Sequence, residues 1–309
     1  MPSSQTVRAL LIVNPKSRQG AEAALEDGLE RLRQAGFTVE KLVSQGPEES
    51  RQAVLDRCSE LDLVIMGGGD GTISSMAQVL YDCKMALAVL PLGTANDLAR
   101  SLAVPETLEE AFAVIAANHR RRIDLGIVNG HYFFNVANLG LGVTVSEELT
   151  DQVKKQWGVF SYLKAFFAAL ARIRQFKIKL TVDGEHKRLR SIHMAVGNGH
   201  YYGGGNVLRD CNEIDDGLLS LYSLRPQKVW ELLTLAPLLR EGQYDLDKRV
   251  FTAQGRDIHI ETRPSGMAIH ADGEPVTRTP AHFEVLPGAL EVVAPRPVPD
   301  PSNPEGFTP

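Results

Sequence analysis

Val64-Ile65-Met66-Gly67-Gly68-Gly69-Asp70-Gly71-Thr72 brings an apolar run directly into a glycine cluster. Ile73-Ser74-Ser75-Met76-Ala77-Gln78-Val79-Leu80 follows with helical spacing. Strand, glycine turn and helix N-terminus together make an anion site. The leading N–H groups of a helix lack intrahelical acceptors and its dipole favours negative charge, and glycine lets a phosphate approach the main chain. Asp70 would repel a bare phosphate, so the pattern points to a nucleotide carried with a cation such as Mg2+. Neither a Walker A run nor the Gly-x-Gly-x-x-Gly dinucleotide fingerprint is present: counted from Gly67, the sixth position is Thr72.

Two further runs repeat the device. Ala86-Leu87-Ala88-Val89-Leu90 leads into Pro91-Leu92-Gly93-Thr94-Ala95-Asn96-Asp97-Leu98-Ala99-Arg100, where Asn96 or Asp97 is placed to cap a helix. Leu10-Leu11-Ile12-Val13 leads into Asn14-Pro15-Lys16-Ser17. Three strands ending in polar loops predict a ligand at the carboxyl ends of an open parallel sheet.

These runs resemble the soluble diacylglycerol kinase catalytic family, which includes sphingosine and ceramide kinases and bacterial lipid kinases of the YegS type. The likeness rests on Asn14 to Arg18, Gly68 to Thr72 and Pro91 to Ala99. It continues through Asp124-Leu125-Gly126, Asn135 to Gly140, Asp215-Asp216-Gly217 and Asp272-Gly273-Glu274, nearly the whole chain. It implies an ATP-dependent lipid kinase acting on a membrane lipid such as diacylglycerol, phosphatidylglycerol or a sphingoid base. The nucleotide would lie on Asn14, Ser44, Gly68, Gly69, Asp70, Gly71, Thr72, Ile73, Ser74, Thr94, Asn96 and Asp97. Asp70, helped by Asp124, would organise Mg2+ on the phosphates. A second Mg2+ would sit at the Asp216 side chain with the carbonyls of Glu213 and Leu218. The family assigns the base to Glu274, with Asp272 in support; a turn at Gly273 leaves open which of the two is the base.

Several positions depart from the family pattern. Arg18 replaces a glycine, Ser44 a threonine and Ser74 an asparagine, and Asn206 to Cys211 lacks an alanine-proline pair. An NAD kinase, which shares the Gly-Gly-Asp-Gly-Thr turn, and a catalytically silent nucleotide- or lipid-binding regulator are the alternatives.

The elements that must position these residues follow from periodicity. Up to residue 126, strand and helix patterns alternate: a helix over Ala21 to Ala35, a strand Phe37 to Val43, and helices Gly46 to Glu60 and Leu108 to Asn118. This predicts a doubly wound, Rossmann-like α/β domain over 1–126. Short strands follow, at Asp124 to Val128, Tyr132 to Ala137, Ile178 to Val182, Arg188 to Val196, Leu218 to Leu224, Val250 to Ala253, Ile258 to Thr262, Met267 to Ala271 and Ala281 to Leu286. Asn129-Gly130 and Asp183-Gly184 mark hairpins. The reading is an antiparallel β-sandwich over 127–288, with a strand at 289–295 returning to the first domain. A helix over Trp157 to Phe176 would pack on the sandwich, wall a lipid pocket or touch the membrane. Residues 296–309 form a proline-rich tail expected to be disordered.

Composition sets limits. The 309 residues carry mixed charge with a net of -5, which argues against a nucleic-acid partner. Three cysteines without metal spacing fit a reducing cytoplasm. No signal peptide is read at the N-terminus, and no run approaches the roughly 20 apolar residues of a membrane span. The expectation is a cytoplasmic enzyme that visits the membrane transiently; the oligomeric state stays open, a homodimer included.

Overall fold

Uninterrupted apolar runs become strands covered on both faces, and alternating runs become strands covered on one. The computed structural model describes residues 6–15, 22–141, 174–199, 201–202, 206–207, 213–227 and 249–296. In chain order its elements are β1 (Val7–Val13), α1 (Glu22–Gln34), β2 (Phe37–Val43), α2 (Pro47–Leu55), β3 (Leu63–Gly68), α3 (Asp70–Ser74), α4 (Ala77–Asp82), β4 (Leu87–Pro91), α5 (Asp97–Ser101), α6 (Leu108–Ala117) and β5 (Arg120–Val128). Then come β6 (His131–Phe133), β7 (Val136–Gly140), β8 (Phe176–Val182), β9 (Glu185–Ser191), β10 (His193–Gly197), β11 (Tyr201–Tyr202), β12 (Asn206–Val207) and β13 (Leu219–Leu224). The last are β14 (Val250–Gly255), β15 (Asp257–Arg263), β16 (Ala268–Ala271), β17 (Glu274–Arg278) and β18 (Ala281–Val293).

One ten-stranded sheet runs β2-β1-β3-β4-β18-β15-β8-β9, with β5 paired to β18 and β6 to β5. Its β2-β1-β3-β4 part is parallel and carries the helices, as the alternating pattern predicts. β3 and β4 are buried at every residue, as parallel strands between helical layers must be. β8 and β15 instead alternate buried with exposed. Their inner face meets a six-stranded antiparallel sheet, β14-β13-β10-β7-β16-β17. Two apolar cores result. One lies between the parallel strands and helices; the other, with Phe133, Leu180, Met194, Leu221, Ile258 and Phe283, lies between the sheets. The fold is a mixed α/β parallel-sheet domain joined to an antiparallel β-sandwich.

Three predicted elements break differently, each for a side-chain reason. The helix after the glycine turn splits into α3 and α4. Ser75 Oγ donates to the Thr72 carbonyl at 2.7 Å, and Arg51 Nε occupies the Ser75 carbonyl at 2.9 Å; such side-chain bonds compete with the helix ladder. The strand expected over Tyr132 to Ala137 divides into β6 and β7 in different sheets, because the N–H groups of Phe134, Asn135 and Val136 all donate to Asp272. The stretch Arg188 to Val196 changes sheet at Ile192, where Ser191 Oγ donates to the carbonyls of His193 and Leu224.

β18 joins two segments predicted separately. Its register against β5 shifts between Leu286 and Leu290, and Val292 then pairs in parallel with Leu87 of β4, so the return strand is the far end of β18. Most of the helix expected over 157–176, the residues Lys16 to Arg18, most of Asn206 to Cys211 and the tail from 297 lie outside the described residues. Phe176, the last residue of that expected helix, opens β8.

Candidate active site

β1, β3 and β4 end side by side, so their three polar loops converge as the sequence predicts. Gly67 accepts Asn14 N–H at 3.1 Å, and Asn14 Nδ2 donates to Thr72 Oγ1 at 3.2 Å. Gly93 packs on Gly69: a Cβ on Gly93 would run into the Gly69 Cα and come within 2.7 Å of Asn96 Oδ1. Two glycine turns touch because neither carries a side chain there.

Asp70 ties the turns together. Its Oδ1 accepts Leu98 N–H at 3.1 Å, in the first turn of α5. Asn96, in the left-handed region with φ 51°, does not cap α5 with its side chain; it accepts Gly93 N–H at 2.9 Å and donates to the Gly93 carbonyl at 3.2 Å. Neither Asn96 nor Asp97 is the expected side-chain cap. Both are buried; Asn96 works inside the loop, and Asp97 is the first residue of α5.

A cleft of about 1330 Å³ opens between these loops and the β16–β17 hairpin. Of the predicted residues, Asn14, Ser44, Gly69, Gly71, Thr72, Ser74, Thr94 and Glu274 line it; Gly68, Asp70, Ile73, Asn96, Asp97, Asp124 and Asp272 lie behind it or away from it. Ser44 turns its hydroxyl to α2, donating to the Gly46 carbonyl at 2.8 Å and accepting Ser50 Oγ at 2.7 Å. Arg51, Gln78, Asp82, His131 and Tyr132 also line the cleft. Sequence reasoning missed them, since they sit on helix faces and a strand end with no motif. Arg51 brings positive charge to the rim, where it pairs with Glu48. Burial, and after it the Asp82 carboxylate, pushes the Tyr132 hydroxyl up.

The hairpin separates the two acids. Asp272 (φ 47°) and Gly273 (φ 91°) form its two-residue turn, as an Asp-Gly pair favours. The turn sends the side chains opposite ways. Asp272 points into the protein and accepts four hydrogen bonds: Ser74 Oγ and Phe134 N at 2.8 Å, Asn135 N and Val136 N at 3.0 Å. Burial pushes its carboxyl up, opposed by those donors. Glu274 faces the cleft, and a Cβ on Gly71 would sit 3.5 Å from its Oε1. Every lone-pair direction of Asp272 is committed, whereas Glu274 stands across from the phosphate turn.

Asp124 does not join the nucleotide loops. It is 2% exposed, and its carboxylate accepts Gly217 N–H and Gly288 N–H, both at 2.6 Å. It clamps β5 to the 213–218 turn and to the β18 bulge. In that turn Asp216 accepts Leu218 N–H at 2.8 Å and Glu213 N–H at 3.4 Å. Asp215 pairs with Arg121 at 3.2 Å. Burial, with Asp124 and Asp215 adding to it, pushes the Asp216 carboxyl up against the pull of the two amides. A half-buried carboxylate beside two others is what a hard cation would relieve.

Phosphate turns at the ends of parallel strands, closed by a sandwich hairpin that carries a carboxylate, define a two-domain nucleotide phosphotransferase. Comparison narrows this. The diacylglycerol kinase catalytic domain matches residues 8–128, and the YegS C-terminal NAD kinase beta sandwich-like domain matches residues 135–294. Proteins of Yersinia pestis (strain Pestoides F) and Yersinia pseudotuberculosis (serotype O:1b, strain IP 31758), each named "Probable lipid kinase YegS-like", are 30% identical over 288 residues, which cover 91% of this chain and 95% of theirs. A crystal structure of a diacylglycerol kinase from Bacillus anthracis Sterne is 25% identical with a TM-score of 0.75, covering 94% of this chain and 97% of that one. A second structure from the same organism is 27% identical with a TM-score of 0.81, over 96% and 98%. The chain belongs to the YegS-like lipid kinase family. It is a kinase that draws on ATP, and the NAD kinase alternative is not favoured.

Proposed function

We propose that this enzyme transfers the γ-phosphoryl group of Mg-ATP to a hydroxyl of a membrane lipid, of the diacylglycerol, phosphatidylglycerol or sphingoid-base type. The observation that carries this reading is Glu274, facing Gly71 across the cleft. Asn14, Thr72 and the main chain of Gly69 to Gly71 would hold the phosphates, with Thr94 on the facing loop. Asp70 and Ser74 keep those loops in place through Leu98 and Asp272. Glu274 would accept the acceptor hydroxyl's proton as its oxygen attacks the γ-phosphorus, and the bond to ADP breaks. Mg2+, when bound, neutralises phosphate charge; positioning and charge compensation supply most of the rate. The Asp216 turn, with the carbonyls of Glu213 and Leu218, fits a second, structural Mg2+. Among the described residues no helix is long and apolar enough to cross a membrane. The reading is a cytoplasmic enzyme meeting its lipid at the membrane surface, as a lipid hydroxyl acceptor requires.

The test is Glu274→Gln, which keeps the shape and removes the proton acceptor. With labelled ATP, Mg2+ and a panel of hydroxyl lipids, kcat should fall by roughly 10²-fold or more while the ATP KM stays near wild type. Wild-type turnover in this variant would remove Glu274 from the chemistry.

A further inference from the structure

Outside the lining of the cleft, β15 and β18 bring four side chains to one outward face. In their antiparallel register Asp257 lies opposite Glu284 and His259 opposite His282. The alternate residues Ile258, Ile260 and Phe283 are buried in the sandwich core, so the four polar ones share the solvent side. The two imidazoles stack with centroids 4.0 Å apart and planes within 5°. Both turn Nε2 to the same carboxylate: His259 to Asp257 Oδ1 at 3.0 Å, His282 to Asp257 Oδ2 at 2.7 Å. The ligand atoms of Asp257, His259 and His282 all lie within 4.8 Å of one another.

We propose that Asp257, His259 and His282 form a binding site for a borderline-soft divalent transition metal, with Zn2+ the best fit, which staples β15 to β18. Imidazole nitrogens with one carboxylate suit Zn2+, Cu2+ or Ni2+, whereas Mg2+ takes oxygen ligands in an octahedral shell. Zinc–ligand distances of about 2.0–2.2 Å put tetrahedral ligand atoms roughly 3.3 Å apart; the two Nε2–carboxylate spacings of 3.0 and 2.7 Å are close to that, and the stacked imidazoles would rotate about their Cβ–Cγ bonds to bring one ion into both ring planes. Glu284 stands where such sites place an outer partner: its Oε2 lies 3.7 Å from His282 Nδ1, the ring nitrogen turned away from Asp257, and would close to hydrogen-bond length as the ring settles on the ion. The main chain is pinned beside both strands. Asp257 N donates to Asp183 Oδ1 at 2.9 Å, and His282 N donates to Asn129 Oδ1 at 2.9 Å. Among the described residues neither Asp257 nor Glu284 has a Lys or Arg ion-pair partner. Within the cluster the carboxylates face only the two imidazoles. The remaining coordination positions face solvent, the side from which the ion would enter.

The experiment uses the full chain without a histidine tag, stripped by chelator and held in excess Mg2+ so that oxygen-ligand sites are filled. Zn2+ is titrated against a chromophoric chelator, and thermal melts are recorded with and without Zn2+. One equivalent should bind and raise Tm, because binding to the native state alone stabilises it. His259→Ala/His282→Ala should lose both the equivalent and the Tm increase while its kinase activity stays at the wild-type level. Glu284→Gln should weaken binding by about 10–100-fold. Co2+ gives a second readout on the wild type: a visible spectrum of four-coordinate N/O ligation. Zn2+ binding equal in wild type and the double variant, or no Co2+ spectrum, would overturn the site.

Discussion

At Asp272 one hydroxyl and three main-chain N–H groups converge on a single carboxylate. A buried N–H left without an acceptor costs about 1–3 kcal/mol, so this residue holds the hairpin, the β6–β7 crossing and α3 in register. Asp272→Asn keeps one acceptor oxygen and turns an amide N–H toward the remaining donors. It should lower unfolding free energy by roughly 2–4 kcal/mol in urea denaturation, with the Mg2+ and ATP dependence of the folded enzyme unchanged. A variant of wild-type stability that has lost all turnover would move Asp272 into the chemistry beside Glu274.

Between the two glycine turns, geometry leaves no room for a methyl group at residue 93. Gly93→Ala would push the β3–α3 and β4–α5 loops apart against Gly69 and Asn96. An overpacked contact of this kind costs about 1–3 kcal/mol, and a displacement near 1 Å at a reacting group costs on the order of 10²-fold in rate. The variant should show an ATP KM raised at least ~10-fold with lipid KM little altered. An unchanged ATP KM would mean that the loops bind nucleotide without touching.

For the whole molecule, the six-stranded sheet carries an acid-labile residue at its centre. His193 of β10 is buried, with Nε2 3.1 Å from Tyr222 Oη, and burial holds its pKa at about 4. The folded protein therefore binds fewer protons here than the unfolded chain between pH 4 and the ordinary histidine value of 6.5. Stability from this group is fully present above pH 6.5 and is lost as pH falls toward 4. At about 1.4 kcal/mol per pH unit, the loss amounts to roughly 3 kcal/mol. Unfolding free energies measured across that range should show a steeper acid decline in wild type than in His193→Gln; parallel profiles would count against a neutral buried imidazole.

Local chemistry made much of this molecule legible in its sequence. The anion turns at 67–72 and 91–99 need only an apolar strand, glycines and a helix start, all adjacent in the chain. The hairpin turns Asn129-Gly130, Asp183-Gly184 and Asp272-Gly273 all adopt positive φ in the structure, because a two-residue turn is settled by its own residues. Other features depend on which distant segment arrives opposite a residue. Asp124 was expected at the phosphates, yet the Gly217 and Gly288 amides take its carboxylate. The resemblance alone favours Glu274 as the base, and a two-residue spacing leaves the facing of Asp272 and Glu274 open; the hairpin turns one inward and one to the cleft. Strands broke at residues 134 and 192, where the Asp272 carboxylate of a distant turn or the neighbouring serine took over main-chain bonds. His259 and His282 are far apart in sequence and meet only through the register of β15 on β18. Periodicity and turn chemistry are properties of neighbours along the chain, so the sequence alone determined them. The partner of a buried carboxylate or a cross-strand imidazole is fixed by long-range register and packing, which only the tertiary structure decides.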